Sequence, residues 1–229
     1  MKYAFITSMD EKYYHRCGRR MIHSFEQYWY PSYKLNVYNE NFDIIENCVN
    51  NLGWDLGEEY IRFQNTTKNQ REKTFSKKAF SIIHAMENID CDRLVWLDAD
   101  LRINNKIKES FLDELLPQDK LSLHFGVWHS KNDKKYFSCE TGFFILNKKH
   151  TQFENFKQVY KNIYVNKDRD NLRRFYDGEV YGKTVLQFDQ DIMVDLNLNK
   201  KYKTPIGKSI LRHYISHLKA GLKDKLNEI

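Results

Sequence analysis

The chain has 229 residues; 41% are hydrophobic and 15% aromatic, and only 3 are proline and 9 glycine. That is enough chain for one large domain with a full core, and the composition excludes collagen-like, linker-like and disordered classes. The net charge of +6 is spread along the sequence; it suits an anionic ligand such as a nucleotide without requiring one, and no nucleic-acid-binding motif accompanies it.

Tyr3 to Thr7 is a compact apolar run that predicts a first strand, with Thr7, Ser8 and Asp10 as turn and cap chemistry after it. A helix is expected from about Glu11 to Trp29, stopped by Pro31, and Lys34 to Tyr38 alternates as a second strand. Asn39 to Asn51, rich in Asn and Asp, predicts turns and a short helix, and Gly53 and Gly57 bracket a loop around Trp54. From about Arg71 to Asn88 a helical period places Phe75, Ala79, Ile82, Ile83 and Met86 on one face. Arg93 to Leu97 (RLVWL) has the pattern of a strand buried on both faces, and it ends at Asp98-Ala99-Asp100. A short amphipathic helix over Ile107 to Leu116 closes at Pro117, and strands are expected at Leu121 to Trp128 and Gly142 to Leu146. Helices are expected near Lys149 to Val165 and Gln187 to Leu196. The basic tail, residues 200–229, has Pro205 and Gly207 in a loop and a helix from about Ser216, and reads as a mobile element. Strand and helix alternating at this spacing predict an α/β fold with a mostly parallel central sheet flanked by helices, and residues 1–229 read as one domain.

The four cysteines, Cys17, Cys48, Cys91 and Cys139, form no C-x-x-C pair, which argues against a zinc ribbon or a redox motif and suits a reducing compartment. The N-terminal segment lacks the apolar core of a signal peptide, and no apolar window is long enough to span a membrane. A cytoplasmic protein is the expectation.

The most informative segment is LVWLDADLRIN, Leu94 to Asn104. Ligands of open α/β sheets bind at the carboxyl ends of strands, where Asp98 and Asp100 fall. Two carboxylates one residue apart repel unless a proton or cation joins them. Oxygen ligands of this kind suit Mn²⁺ or Mg²⁺. The same pattern would arise if both aspartates only capped the next turn. It also occurs in Mg²⁺-dependent phosphatases and nucleases that work through such a pair. The haloacid-dehalogenase pattern, D-x-D-x-T/V, is matched poorly because Arg102 stands at its fifth position.

Several further segments fall in a telling order. The chain opens on YAFIT; TFSKKAFSIIHAM (Thr74 to Met86) precedes the D-x-D strand; SCETGFFILN (Ser138 to Asn147) follows it. Then come QFDQDIM (Gln187 to Met193) and HLKAGLK (His217 to Lys223). Together they resemble the GT-A glycosyltransferases, nearest to the retaining group that includes glycogenin and bacterial lipooligosaccharide galactosyltransferases. The glycine of the last segment, Gly221, stands four residues after His217 where that group has three.

The resemblance implies a Rossmann-like nucleotide-binding α/β fold and transfer of a hexose from a UDP-sugar, UDP-glucose or UDP-galactose. The acceptor, a glycan, small molecule or protein, is left open. It implies Mn²⁺ or Mg²⁺ held by Asp98, Asp100 and His217, with His213 the alternative third ligand and Ala99 lying against the nucleotide. Thr7 and Ser8 would approach the base or ribose, Tyr13 or Tyr14 would stack on uracil, and Lys77 or Lys78 would reach phosphate or ribose. Lys223 would neutralise the departing diphosphate, where developing charge rewards stabilisation, and would make the tail a lid ordered by ligand. Asp189, Gln190 and Asp191, at an expected helix start, would hold the sugar hydroxyls and face the anomeric carbon. Glu140 is the rival carboxylate, a base on the acceptor side that would imply inversion.

Overall fold

The structure, a computed structural model, describes residues 1–131, 134–197 and 205–218. The first strand, β1 (Tyr3–Asp10), alternates its side chains between two cores: Ala4 and Ile6 bury on one face of the sheet and Phe5 on the other. The Asp10 carboxylate accepts the Tyr13 N–H and so caps α1 (Glu11–Tyr13). A single π turn at Tyr14–Gly18 leads into α2 (Arg19–Tyr28). β2 (Leu35–Glu40) and β3 (Val49–Asn51) follow, then α3 (Glu58–Thr66) and α4 (Gln70–Asn88), the latter capped by the Asn69 side chain. β4 (Arg93–Leu97) is fully buried, as its sequence predicts, and is followed by β5 (Leu101–Ile103) and α5 (Glu109–Leu115). The remaining elements are β6 (Ser122–His124), β7 (Gly126–Lys131), β8 (Lys134–Cys139), β9 (Phe143–Asn147), α6 (Phe153–Val165), α7 (Asp177–Val185), β10 (Met193–Asp195) and β11 (Ile215–His217).

Seven strands form the main sheet in the order β10-β6-β9-β4-β1-β2-β3. All pairings are parallel except those of β9, which runs antiparallel to both β4 and β6. Helices α2 and α5 cover one face and α3, α4, α6 and α7 the other. β1 pairs with β4 only from Tyr3 to Ile6 but with β2 as far as Asp10. The sheet therefore opens beside β1 at the carboxyl ends of β1 and β4, where the strand order reverses, and such a switch point is where open α/β sheets bind ligands. Two small ribbons complete the frame: β7 with β8, and β5 with β11.

Several expected elements differ. Residues 41–48 form no helix, and the segment ends in the short strand β3. Leu121 to Trp128 is two strands, because the chain leaves the main sheet at Phe125 to enter the β7–β8 hairpin. Gln187 to Leu196 is not a helix: a 3-10 turn at Gln190–Ile192 runs into β10, which pairs with β6 at the sheet edge. Ser216 lies in β11, held extended by β5, rather than starting a helix. α3 and α7 were not expected from sequence. All four cysteines are free and buried, and among the described residues no helix is long and apolar enough to cross a membrane.

Candidate active site

The site is built on the turn that leaves β4. The Asp98 N–H donates to the Gly142 carbonyl on the β9 side (2.8 Å), and the Leu101 N–H donates back to the Asp98 carbonyl (3.0 Å), so Asp98, Ala99 and Asp100 form a tight corner. Oδ1 of Asp98 accepts the Trp96 indole N–H (2.7 Å) and pairs with the Lys78 ammonium (2.6 Å). Asp100 is buried, and its Oδ2 accepts the Tyr13 hydroxyl (3.1 Å). That bond ties the end of α1 to the corner.

His217 arrives from the other end of the chain. β11 pairs antiparallel with β5, directly after the corner, in a register that places His217 opposite Leu101. The Leu218 N–H then donates to the Asp100 carbonyl (3.0 Å). The imidazole lies between two carboxylates, with Nε2 3.0 Å from Asp100 Oδ1 and Nδ1 3.5 Å from Glu140 Oε1. It packs on Gly142, where a Cβ would lie 3.2 Å from the ring. Burial would lower the His217 pKa, but the Asp100 hydrogen bond and the charges of Asp100, Glu140 and Asp98 outweigh it and raise it. Burial raises Asp98, with Asp100 and Asp177 adding to the effect and Lys78 opposing it. One ligand atom each from Asp98, Asp100 and His217 lies within 4.8 Å of the others. Two carboxylate oxygens and an imidazole nitrogen, gathered this closely in a partly buried corner, fit a divalent cation of the Mn²⁺ or Mg²⁺ kind.

A second charged cluster abuts the first. Lys78, on α4, is largely but not fully buried and bridges Asp98 to Asp177 (2.9 Å), while donating to the Thr141 carbonyl (2.8 Å). The Thr141 hydroxyl donates to Asp177 (2.6 Å). Burial works against the charge of Lys78, but Asp177 and Asp98 prevail and hold it as an ammonium. Burial likewise works against Asp177, and Lys78 with Thr141 hold its carboxyl below the usual range. Asp177 reaches the cleft because α7 lies against β8 almost backbone to backbone: a Cβ on Gly178 would sit 2.5 Å from the Cys139 carbonyl, and one on Gly182 2.8 Å from the Ser138 Cα.

These groups border a cleft of about 1330 Å³. Of the residues expected from sequence, it brings together Ser8, Tyr13, Lys77, Asp98, Ala99, Asp100, Glu140 and His217. Lys77 lines the wall at the β2 end, where its ammonium pairs with Glu40 and lies 5.9 Å from the Trp54 ring centre. Thr7 is not at the cleft: β1 runs on past it, and its side chain is buried inside the sheet. Asp189, Gln190 and Asp191 are not brought there either. They are exposed and precede β10, which places them at the amino end of the parallel strands, away from the corner. Asp189 caps the local turn, and the Gln190 amide donates to the carbonyls of Val185 and Phe188. His213 does not line the cleft; it ends a 3-10 turn, with Arg212 Nε 3.2 Å from its ring nitrogen. Gly221 and Lys223 lie outside the described residues. Asp177 and Thr141 are the residues that sequence reasoning missed. The available signal for Asp177 was the helical spacing of Val180, Tyr181, Thr184 and Val185 behind it, all buried.

No family model matches the chain, and no curated protein matches it in sequence. Solved structures do. The galactosyltransferase LgtC, crystallised with donor and acceptor sugar analogues, is 12% identical, with 98% of this chain and 92% of that one covered and a TM-score of 0.62. Mouse xyloside xylosyltransferase 1 is 10% identical over 97% of this chain and 99% of its own, with a TM-score of 0.60. The fold is that of the GT-A glycosyltransferases. The bifunctional glycosyltransferase WbbM matches 86% of the chain at 15% identity and a TM-score of 0.56, and the chain spans 39% of that longer protein. In this GT-A frame the corner after β4 carries the aspartate pair, and β11 supplies the histidine.

Proposed function

We propose that this protein is a metal-dependent glycosyltransferase that moves a hexose from UDP-glucose or UDP-galactose to a hydroxyl acceptor, with retention at the anomeric carbon. The observation that carries this reading is the convergence of Asp98, Asp100 and His217, drawn from distant parts of the chain, at the carboxyl end of β4 in a GT-A fold. These three residues would hold the divalent cation, Mn²⁺ or Mg²⁺. When bound, the cation supplies positive charge to the donor's diphosphate.

The chain's own residues do the rest. Ser8, Tyr13 and Trp54 border the end of the cleft beside β1 and β2, which suits the nucleoside. Tyr13 also fixes Asp100 through its hydroxyl, so nucleotide binding and metal binding share one side chain. Lys78 holds Asp98 and Asp177 in register, and Asp177 is placed to accept hydroxyls of the donor sugar. In the transfer the bond from the anomeric carbon to the diphosphate oxygen breaks, and UDP leaves with the electron pair. The acceptor oxygen forms the new bond, and its proton passes to the departing phosphate. Lys223 is proposed as a cationic partner of that diphosphate, from its place six residues after His217.

Retention is proposed from the resemblance of the ordered segments to the retaining group. The departing phosphate then takes the acceptor proton, so no protein base is required. Nothing in the fold or the cleft favours the phosphatase or nuclease reading. Titration calorimetry tests the proposal: UDP should bind in the presence of Mn²⁺, and chelator or Asp100→Ala should weaken binding at least tenfold. UDP affinity indifferent to both would overturn it.

A further inference from the structure

The wall of the cleft between α4 and α7 carries positive charge that the proposed transfer does not use. Arg71 and Phe75 border the cleft from α4, and Arg173 and Tyr176 border it from the segment that joins α6 to α7. Arg71, Phe75 and Lys78 stand at positions i, i+4 and i+7 of one helix and so share a face. α4 leads into β4 through the short connection 89–92, so its first turns stand on the carboxyl-end side of the sheet, beyond the metal corner. At about 1.5 Å per residue, Arg71 lies about 10 Å farther out along the helix than Lys78, whose ammonium touches Asp98.

The wall is firmly built. Tyr176 carries two guanidinium groups: Cζ of Arg71 is 4.8 Å from its ring centre and Cζ of Arg174 is 5.7 Å away. Phe75 packs on the same ring, with centres 4.4 Å apart. The segment that delivers Tyr176, residues 166–176, is pinned at several points. Arg169 donates two hydrogen bonds to the buried Glu72 of α4 (2.7 and 2.6 Å). Lys183 pairs with Asp168 (2.7 Å). Arg173 donates two hydrogen bonds to one oxygen of the buried Glu179 (3.1 and 2.9 Å), and the Arg174 N–H donates to the other (2.7 Å). Lys167 and Asn171 are held at φ 51° and 60°, left-handed conformations that persist only where surrounding contacts over-determine them and that gather at ligand clamps.

The charges on this wall do not balance. Arg169 and Arg173 are each matched by a glutamate. Among the described residues, no carboxylate pairs with Arg71 or Arg174. Two like charges on one ring repel, and the ring quadrupole is a weak counterpart for a full charge. A guanidinium whose donors are not taken by a carboxylate presents a planar fork that matches phosphate or carboxylate oxygens. On the glycosyltransferase reading, on which this inference rests, the donor's own diphosphate sits at the cation. The wall is left for the other substrate, and a neutral acceptor would leave both charges unmatched.

We propose that Arg71 and Arg174, held together by Tyr176, form an anion seat at the mouth of the cleft, and that the acceptor carries a phosphate or carboxylate group that docks there while its hydroxyl enters toward Asp177.

Calorimetry on the full chain, loaded with UDP and Mg²⁺, tests this with matched probes: glycerol against glycerol 3-phosphate, and glucose against glucose 6-phosphate and glucuronate. UDP release from UDP-glucose and UDP-galactose reports transfer to the same compounds. At least one anionic probe should bind about tenfold more tightly than its neutral partner, and less tightly as salt is raised. The phosphate and carboxylate arms identify which anion the seat takes. Arg71→Gln combined with Arg174→Gln should weaken that probe about tenfold, through KM rather than kcat, with UDP affinity within about twofold and the wild-type urea midpoint kept. Lysine at both positions should restore part of the affinity, because the charge survives without the fork; a merely structural role would show no such rescue. No binding by any anionic probe, equal affinity for charged and neutral partners, or affinity unchanged in the double glutamine variant would each overturn the proposal. Failure of the wild type to bind UDP would overturn the donor reading instead, and anion binding to the nucleotide-free chain, compared with the double glutamine variant, would still decide the seat.

Discussion

At the scale of single residues, the informative group is Lys78. A buried ammonium is stable only with its charge matched, and Asp98 and Asp177 provide the match from two different elements. Removing it leaves two largely buried carboxylates without their shared counter-charge. Lys78→Met should therefore cost about 3–5 kcal/mol in urea denaturation. The double variant with Asp177→Asn should cost less than the two single losses combined. The same pair sets a pH dependence. Because the folded Asp177 carboxyl is the stronger acid, its contribution is present above the ordinary carboxylate pKa, near pH 4, and is lost as the pH falls through the folded value. Urea stabilities of wild type and Asp177→Asn, both in chelator, should differ at pH 7 and converge well below pH 4.

At the scale of elements, the site depends on the close approach of α7 to β8 at Gly178 and Gly182, neither of which carries a catalytic side chain. Gly182→Ala would drive a methyl into the Ser138 backbone, and an overpacked contact of that kind costs about 1–3 kcal/mol. It should also displace Asp177, so kcat should fall along with the urea midpoint, while Mn²⁺-dependent UDP binding should be largely kept. These same contacts explain what could be read from sequence and what could not. RLVWL announces β4 because a strand buried on both faces has no polar position to confuse the period. α7 was hidden by Gly178 and Gly182, residues that weaken a helix locally and are present because another backbone lies against them. β10 was mistaken for helix because Met193 and Val194 are too few to distinguish the two periods. Its strand character comes from pairing with β6. The D-Q-D segment was misplaced for the same reason, since a short run of familiar residues carries no information about which end of a sheet it meets.

At the scale of the whole molecule, the aspartate pair and the order of segments were enough to anticipate the GT-A fold, because both reflect the chain's path through one sheet. The arginine wall was not legible, since Arg71 and Arg174 look like any solvated charges until the segment before α7 brings Tyr176 against both. If cation and nucleotide bind only the native state, they should stabilise it globally. At UDP concentrations about a hundred times Kd with Mn²⁺ present, the gain is about 2.7 kcal/mol, or about 5–10 °C in Tm for a chain of this size. Scanning calorimetry should show that rise, and His217→Ala should reduce it.

The arrival of His217 on a strand that pairs with β5 has a consequence for biosynthesis. A ribosome makes Asp98 and Asp100 long before it makes the histidine that stands beside them. A nascent chain would hold only a two-donor fragment of the proposed metal site until residue 217 has emerged and β11 has zipped onto its partner. Cation affinity would then report completion of the carboxyl-terminal part, and a product stalled or clipped before Ile215 would be inert even with its central sheet already formed.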